Sequence, residues 1–311
     1  MIFARPLLLC LALLGCEARR AQVPDWVDSA PGAAVMAVSF QAEWAMQQPR
    51  LRTLLERFPL AGRSLDRLLT RAGINLRGET GRLTVYLLNP EPPSSPRGVP
   101  LPPSFLIQLG GFRDPGGLQV AIADAFPADP AAEDRDHPLF AVLDLAPHRI
   151  RAQVDGAGRV WLGDLDVLAR RSEGRSQALA GAAAWISPGA AVQGFIRPAL
   201  LLDDFKAELP GDLARNLPRG IESLAWGVVP GRARDALNGF ELSLAGNDQA
   251  IQHAQPWLQR FLGAANALPG VPAQAPEILQ ETARISLRCQ LSQEQVDVAM
   301  ARLDLPPMGL R

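Results

Sequence analysis

Chemistry in this chain would have to start from few residues. The densest polar run, Glu133-Asp134-Arg135-Asp136-His137, offers carboxylates and an imidazole, with His148 a short way on. These are donors that a divalent cation accepts. Adjacent residues of one loop rarely converge on one ion, however. Arg135 neutralises part of the charge and no glycine-containing calcium-loop spacing occurs, so the run reads as a charged loop after Pro127 and Pro130. Asp164 and Asp166 could be read as an acid–base pair. Their place at a helix start makes capping and dipole stabilisation the better account. Imidazole is confined to His137, His148 and His253, and no Gly-x-Ser-x-Gly elbow is present. The one lysine, Lys206, follows Phe205 and so builds no phosphate-binding loop; beside Asp203, Asp204 and Glu208 it reads as a solvated ion-pairing residue. Zinc spacings and His-Glu-x-x-His are absent, and Gly156-Ala157-Gly158 lacks the third glycine of a dinucleotide fingerprint. The expectation is a protein with no catalytic residue, no metal ligand and no cofactor.

Cysteine has other uses here. Cys10 lies in an apolar run, Leu7-Leu8-Leu9-Cys10-Leu11-Ala12-Leu13-Leu14, preceded by one positive charge, Arg5. The run has the length of a signal-peptide core and falls short of the roughly 20 apolar residues that span a bilayer. It ends in Leu13-Leu14-Gly15-Cys16. That ending resembles the lipobox of bacterial lipoproteins: apolar, apolar or small, small, then Cys. The resemblance covers the first 16 residues only. It implies cleavage before Cys16, acylation of its sulfur and amine by palmitate-type chains, and Cys16 as the mature N-terminus. Glu17, where many inner-membrane lipoproteins carry Asp, implies an outer-membrane site facing the periplasm. Each buried methylene contributes about 0.8 kcal/mol, and two chains hold stably where one does not. Cys289 then remains alone, in the alternating run Ala283-Arg284-Ile285-Ser286-Leu287-Arg288-Cys289-Gln290-Leu291, which makes it a core residue on one strand face.

The whole chain has 31 basic residues against 32 acidic ones, and loss of residues 1–15 would remove one base and no acid. This near-neutral balance argues against nucleic acid or a broad anionic-lipid surface as partner. Residues 17–24 read as a polar tether, and Trp26 just beyond it is expected to dock on the folded body.

The elements that must carry all this look duplicated. Ala30-Pro31-Gly32-Ala33-Ala34-Val35 recurs as Ser187-Pro188-Gly189-Ala190-Ala191-Val192, and the strand at residues 83–88 matches 224–229. Phe105-Leu106-Ile107-Gln108-Leu109 matches Phe240-Glu241-Leu242-Ser243-Leu244, and the strand from Arg149 matches that from Arg284; both keep an offset of 135 residues. Helical spacing is expected over residues 41–57, 63–72 and 198–215. Asp114-Pro115 and Asn247-Asp248 open further helices, the second of which Pro256 should kink or shorten. Asp164 opens another, and Ser292-Gln293-Glu294-Gln295 is a capping box. Residues 139–143 suggest an additional strand, and Asp155-Gly156 a hairpin.

This order predicts an α+β fold of two tandem β-α-β-β-α-β repeats, ferredoxin-like split βαβ units with mainly antiparallel sheets. The expected division is a signal peptide at 1–15, acylated Cys16 and tether at 16–30, repeats at 31–174 and 188–303, a linker at 175–187 and a tail at 304–311. Residues 268–277 read as a second flexible connection. Three functional readings follow. The first is a non-enzymatic envelope lipoprotein that scaffolds or binds an envelope protein. The second is a binder or carrier of lipid or another apolar ligand between the halves, and the third a hydrolase assembled from distant residues.

Overall fold

The computed structural model describes residues 25–47, 81–88, 104–112, 114–129, 139–145, 148–171, 179, 181–182, 185–200, 217–231, 237–266, 274–292 and 294–296. Eleven strands form a single sheet: β1 (Ala34–Gln41), β2 (Arg82–Leu88), β3 (Ser104–Gly110), β4 (Leu139–Leu145), β5 (His148–Val154), β6 (Val160–Gly163), β7 (Val192–Ile196), β8 (Ile221–Val229), β9 (Asn238–Gly246), β10 (Gln274–Glu281) and β11 (Arg284–Leu291). Their spatial order is β10-β11-β9-β8-β7-β1-β2-β3-β6-β5-β4. Every adjacent pair is antiparallel.

This corrects the expected pair of ferredoxin-like repeats. A split βαβ unit keeps its first two strands apart, with another strand between them. Here β1 and β2 are direct neighbours, from Ala34↔Leu88 to Gln41↔Arg82. The two halves also share one sheet, because β1 pairs with β7 from Met36↔Ile196 to Phe40↔Val192. The cause lies in β1 itself: its apolar residues fall on both faces, and seven of its eight positions are buried. A strand apolar on both sides belongs at the centre of a sheet and needs a partner along each edge.

Three of the matched strand pairs, β1/β7, β2/β8 and β3/β9, lie at corresponding distances from the central β1–β7 pair. The fourth does not. β11 lies against β9, with Leu242↔Leu287, whereas β3 takes β6, with Ile107↔Leu162, and β5 comes only after that. The 135-residue match between the β5 and β11 sequences therefore reflects shared alternation, not a shared place.

Alternation divides the sheet into two unlike faces. The first takes Val38, Phe40, Leu83, Leu87, Ile107, Leu109, Val160, Leu162, Trp226, Phe240, Leu242, Ile285, Leu287 and Cys289, all buried. Helices α3 (Pro115–Ala125) and α5 (Asp248–Asn266) pack there through Ile122 and through Ile251, Ala254, Trp257 and Leu258. Asp114 accepts from the Gly117 amide at 3.0 Å, and Asn247 Oδ1 from the Ala250 amide at 2.8 Å. Pro256 does not shorten α5, which runs on to Asn266; it lies on the exposed side, where water reaches the carbonyl left without a donor. Gly194 of β7 is required on this face: a Cβ there would stand 1.9 Å from the Trp226 ring lying across it.

The second face carries the short helices α1 (Asp25–Asp28) and α4 (Leu165–Arg170), together with parts of residues 179–191. Helix α2 (Ala42–Gln47) continues directly from β1, and its Trp44 packs against the core of the first face. Of the expected 41–57 helix, Gln41 belongs to β1 instead, residues 42–47 are helical and 48–57 lie outside the described residues, as do the 63–72 stretch and all but a short 3-10 turn, Pro198–Leu200, of the 198–215 stretch. Residues 274–277, expected within a flexible connection, begin β10 instead.

Candidate functional site

Four neighbouring central strands each interrupt an apolar run with a buried Ser, Thr or Gln on the second face. They are Ser39 on β1, Thr84 on β2, Gln108 on β3 and Gln193 on β7, all buried. Arg82 enters the same layer from the start of β2. Its Nη1 donates to Gln193 Oε1 at 3.0 Å and to Ser39 Oγ at 3.1 Å, and its Nη2 to the Ala190 carbonyl at 2.7 Å. Ser39 Oγ and Thr84 Oγ1 lie 2.8 Å apart. All of these acceptors are neutral. Burial accordingly pushes the Arg82 guanidinium down to about 10, since desolvation disfavours the charged form.

The N-terminal segment closes this layer. Trp26 Nε1 donates to Gln193 Oε1 at 2.6 Å, and Gln193 Nε2 donates onward to the Ser187 carbonyl at 2.8 Å. The Tyr86 hydroxyl has one proton for two acceptors, the Trp26 carbonyl at 2.6 Å and Gln108 Oε1 at 2.8 Å. Gln108 Nε2 donates to Ser29 Oγ at 2.7 Å, and Ser29 Oγ to the Trp26 carbonyl at 3.2 Å. Trp26 and Val27 are buried, so Trp26 docks on the body as its amphipathic ring suggested. Burial raises the Tyr86 phenol far above its ordinary range, which leaves it a donor at any physiological pH. A buried, mutually satisfied network of this kind specifies one arrangement of the groups it joins.

A second cluster lies beside it. Trp161 stacks on Tyr86 with ring centroids 6.0 Å apart. The β5–β6 hairpin turn places Asp155 so that Oδ1 accepts from the amides of Ala157 and Arg159, each at 3.0 Å. Oδ2 accepts from Arg159 Nε at 2.7 Å and from Trp161 Nε1 at 2.9 Å. Burial raises the Asp155 carboxyl, but these donors and the Arg159 charge outweigh it and hold the group below its ordinary value. Arg171, at the end of α4, lies over the Trp161 ring at 5.1 Å, and Arg159 approaches the same ring at 5.8 Å.

Elsewhere on this face, Glu241 Oε2 accepts from the Ser187 amide, while Oε1 lies 3.6 Å from Arg288 Nε. Burial raises the Glu241 carboxyl more than these contacts lower it. Asp129 and Arg151 form a buried ion pair near the β4 edge.

Among the described residues, those singled out from sequence do not assemble. Cys289 is buried among Ile285, Leu287 and Leu291, and burial pushes its thiol up to about 11, which suits packing and not nucleophilic attack. His253 is exposed on α5, with Nδ1 2.8 Å from the Gln249 carbonyl. His148 opens β5. Cys16, Lys206 and the run Glu133 to His137 lie outside the described residues. Asp164 occupies the N-cap position of α4 without a capping hydrogen bond from its side chain. Ser292 and Gln295 form the reciprocal box expected of them, with Gln295 Oε1 accepting from the Ser292 amide at 2.9 Å and Ser292 Oγ from the Gln295 amide at 3.3 Å. Among the described residues no group of three or more His, Cys, Asp and Glu side chains gathers to hold a metal, and no helix is long and apolar enough to cross a membrane. No protein-family model matches the chain, no curated protein is similar to it, and no solved structure matches it.

Proposed function

We propose that this chain is a non-enzymatic, lipid-anchored module of the bacterial envelope, acylated at Cys16 and presenting its sheet as a scaffold or binding surface. The outer membrane, periplasmic side, is the location implied by Glu17. One observation carries the reading: the segment that follows the tether is locked into the centre of the sheet. Trp26 is held by Gln193 and, through its carbonyl, by Tyr86, so chain leaving α1 toward Cys16 starts from a fixed point. Residues 17–24 span at most roughly 29 Å when extended. An acylated Cys16 would thus keep the body close to the bilayer, with the face that carries α1 constrained by the short leash. A flexible N-terminus of the same length would anchor the body without orienting it.

The test is metabolic labelling with palmitate and fractionation of cell envelopes. Wild-type chain is expected to incorporate label and to sediment with membranes, and Cys16→Ser to lose both. Labelling that survives Cys16→Ser, or none in the wild type, removes the anchor and with it this function.

A further inference from the structure

We infer that the free edge of β10 takes up one further antiparallel strand from a partner chain, and that this strand carries basic residues at alternate positions. The two ends of the sheet differ. At one end the chain covers β4 with its own backbone: the Asp129 amide donates to the Leu139 carbonyl at 2.8 Å, and the Ala141 amide to the Pro127 carbonyl at 2.9 Å. At the other end β10 has β11 along one side and, among the described residues, no strand along the other. Thr282-Ala283 is a two-residue turn, which makes Glu281 and Arg284 a mutually bonded pair. Bonding alternates along an antiparallel strand, so Ile278 and Gln280 aim their N–H and C=O groups away from β11. Those four groups are a template for another strand.

The side chains specify which strand. On the second face β10 presents Glu277, Leu279 and Glu281, opposite Arg288, Ser286 and Arg284 of β11. Both arginines are engaged inward. Arg288 Nε lies 3.6 Å from Glu241 Oε1, and Arg284 lies over the Trp185 ring at 4.8 Å while donating to the Gly181 carbonyl at 3.1 Å. Glu277 and Glu281 are exposed, and among the described residues neither has a hydrogen bond or a close ion pair. Along the row Glu277, Arg288, Glu241 charge alternates in sign and stops on a carboxylate. A next strand continues the alternation with Arg or Lys opposite Glu277 and again opposite Glu281. Between them Leu279, 40% exposed, takes an apolar neighbour. Opposite charges and apolar pairs facing each other across strands are both stabilising.

Two plainer accounts fall short. Charged residues and proline blunt an edge against aggregation. That accounts for Pro276 and the register shift between Gln274 and Glu277, which shorten the template, but not for Ile278 and Gln280 standing open where β4 is covered. A second copy of this chain is the other candidate occupant. The pairing that engages all four free groups sets Ile278 against Gln280 of the second copy, and so Glu277 against Glu281 twice over. Like charges directly opposite are destabilising. The β4 edge, Leu139–Leu145, supplies no basic residue either.

The test is fluorescence anisotropy of the labelled peptide Thr-Arg-Val-Val-Val-Arg-Thr, titrated with the full-length chain in mild detergent. Saturation at one peptide per chain is expected, with hydrogen exchange slowed at the Ile278 and Gln280 amides. The same peptide N-methylated at its third and fifth residues loses the donors aimed at β10 and should bind about tenfold more weakly. Gln280→Pro removes one outward N–H, leaves the β11 ladder intact, and should weaken the parent peptide by a similar factor. Glu277→Gln combined with Glu281→Gln should weaken it about fivefold. Absence of saturation overturns the proposal. So does an N-methylated peptide that binds as tightly as its parent, because charge alone is then at work. Sedimentation showing a dimer of the chain that Gln280→Pro dissolves overturns it in favour of a second copy. Should Gln280→Pro fail to fold, the N-methylated peptide still decides. The edge deepens the binding role proposed above and rests on that reading for a partner within the envelope. The two fail separately: loss of palmitate incorporation leaves peptide binding standing, and absence of peptide binding leaves the acyl anchor standing.

Discussion

The two faces of the sheet are made by the same strands, one residue out of step, and they work differently. On the first face, Val38, Leu83, Ile107 and Leu242 meet helices through hydrocarbon alone. On the second, Ser39, Thr84, Gln108 and Gln193 stand at the same depth and meet each other, Arg82 and the N-terminal segment. Hydrocarbon contacts are non-directional and tolerate exchange of one shape for a similar one, so the first face can repack around a substitution. Hydrogen bonds are directional, and a buried donor left without its acceptor is costly, so the second face fixes which groups meet. A slip of one residue in any central strand would put hydrocarbon against the network and hydroxyls into the core, which pins the register twice over.

Three substitutions would sharpen or break this contrast. The largest effect is expected from Phe240→Ala on the first face, where the ring is fully buried and stacks on Phe261 at 5.6 Å. Denaturant unfolding should show a loss of about 3–5 kcal/mol. The N-terminal segment should stay docked, because nothing on the second face changes. Gln193→Leu keeps the volume but strips Trp26, Arg82 and Ser187 of a common partner. A loss of about 1–3 kcal/mol is expected, together with faster proteolysis ahead of β1. If that cleavage stays as slow as in the wild type, the network is not what holds the segment.

The smallest effect, of opposite sign, belongs to Glu241→Gln. Burial raises the Glu241 carboxyl, so the folded state favours its protonated form. Stability from that shift is full below the ordinary carboxyl value and disappears as pH rises through the raised one. At pH 7 the charged group is therefore a burden, and a neutral amide still accepts from the Ser187 amide. Thermal unfolding should show Glu241→Gln more stable by less than about 1 kcal/mol at pH 7, with the difference closing toward pH 4. A constant difference across that range would mean that the Arg288 contact outweighs desolvation.

The contrast also explains what could be read in advance. Strands were legible wherever hydrophobic alternation was strong, as at Leu83 to Leu88 or Ile285 to Leu291, and so were helix caps such as Asn247 and the Ser292–Gln295 box, because these are local. The pairing of β1 with β7 was not, since roughly half the chain separates them and element order is silent on neighbours. The Asp155-Gly156 turn announced a hairpin, but its second strand, β6, has four residues and shows no period of its own, so nothing local told that β6 and not β5 lies against β3. The polar network left a readable trace: four apolar strands each carry one Ser, Thr or Gln at an inward position. Its meaning depended on knowing that those strands are neighbours. Arg82 and Arg171 gave no such trace, because an arginine at the end of a strand or helix is ordinarily solvated.

Burial of β1 at the middle of the sheet bears on how the molecule is born. As the chain emerges N-terminus first, β1 can pair with β2, but its other edge waits for β7, synthesised long afterwards. Such distant pairing closes slowly, and an open apolar edge invites wrong partners meanwhile. The nascent first half thus keeps that edge open until residues 192–196 arrive to seal it.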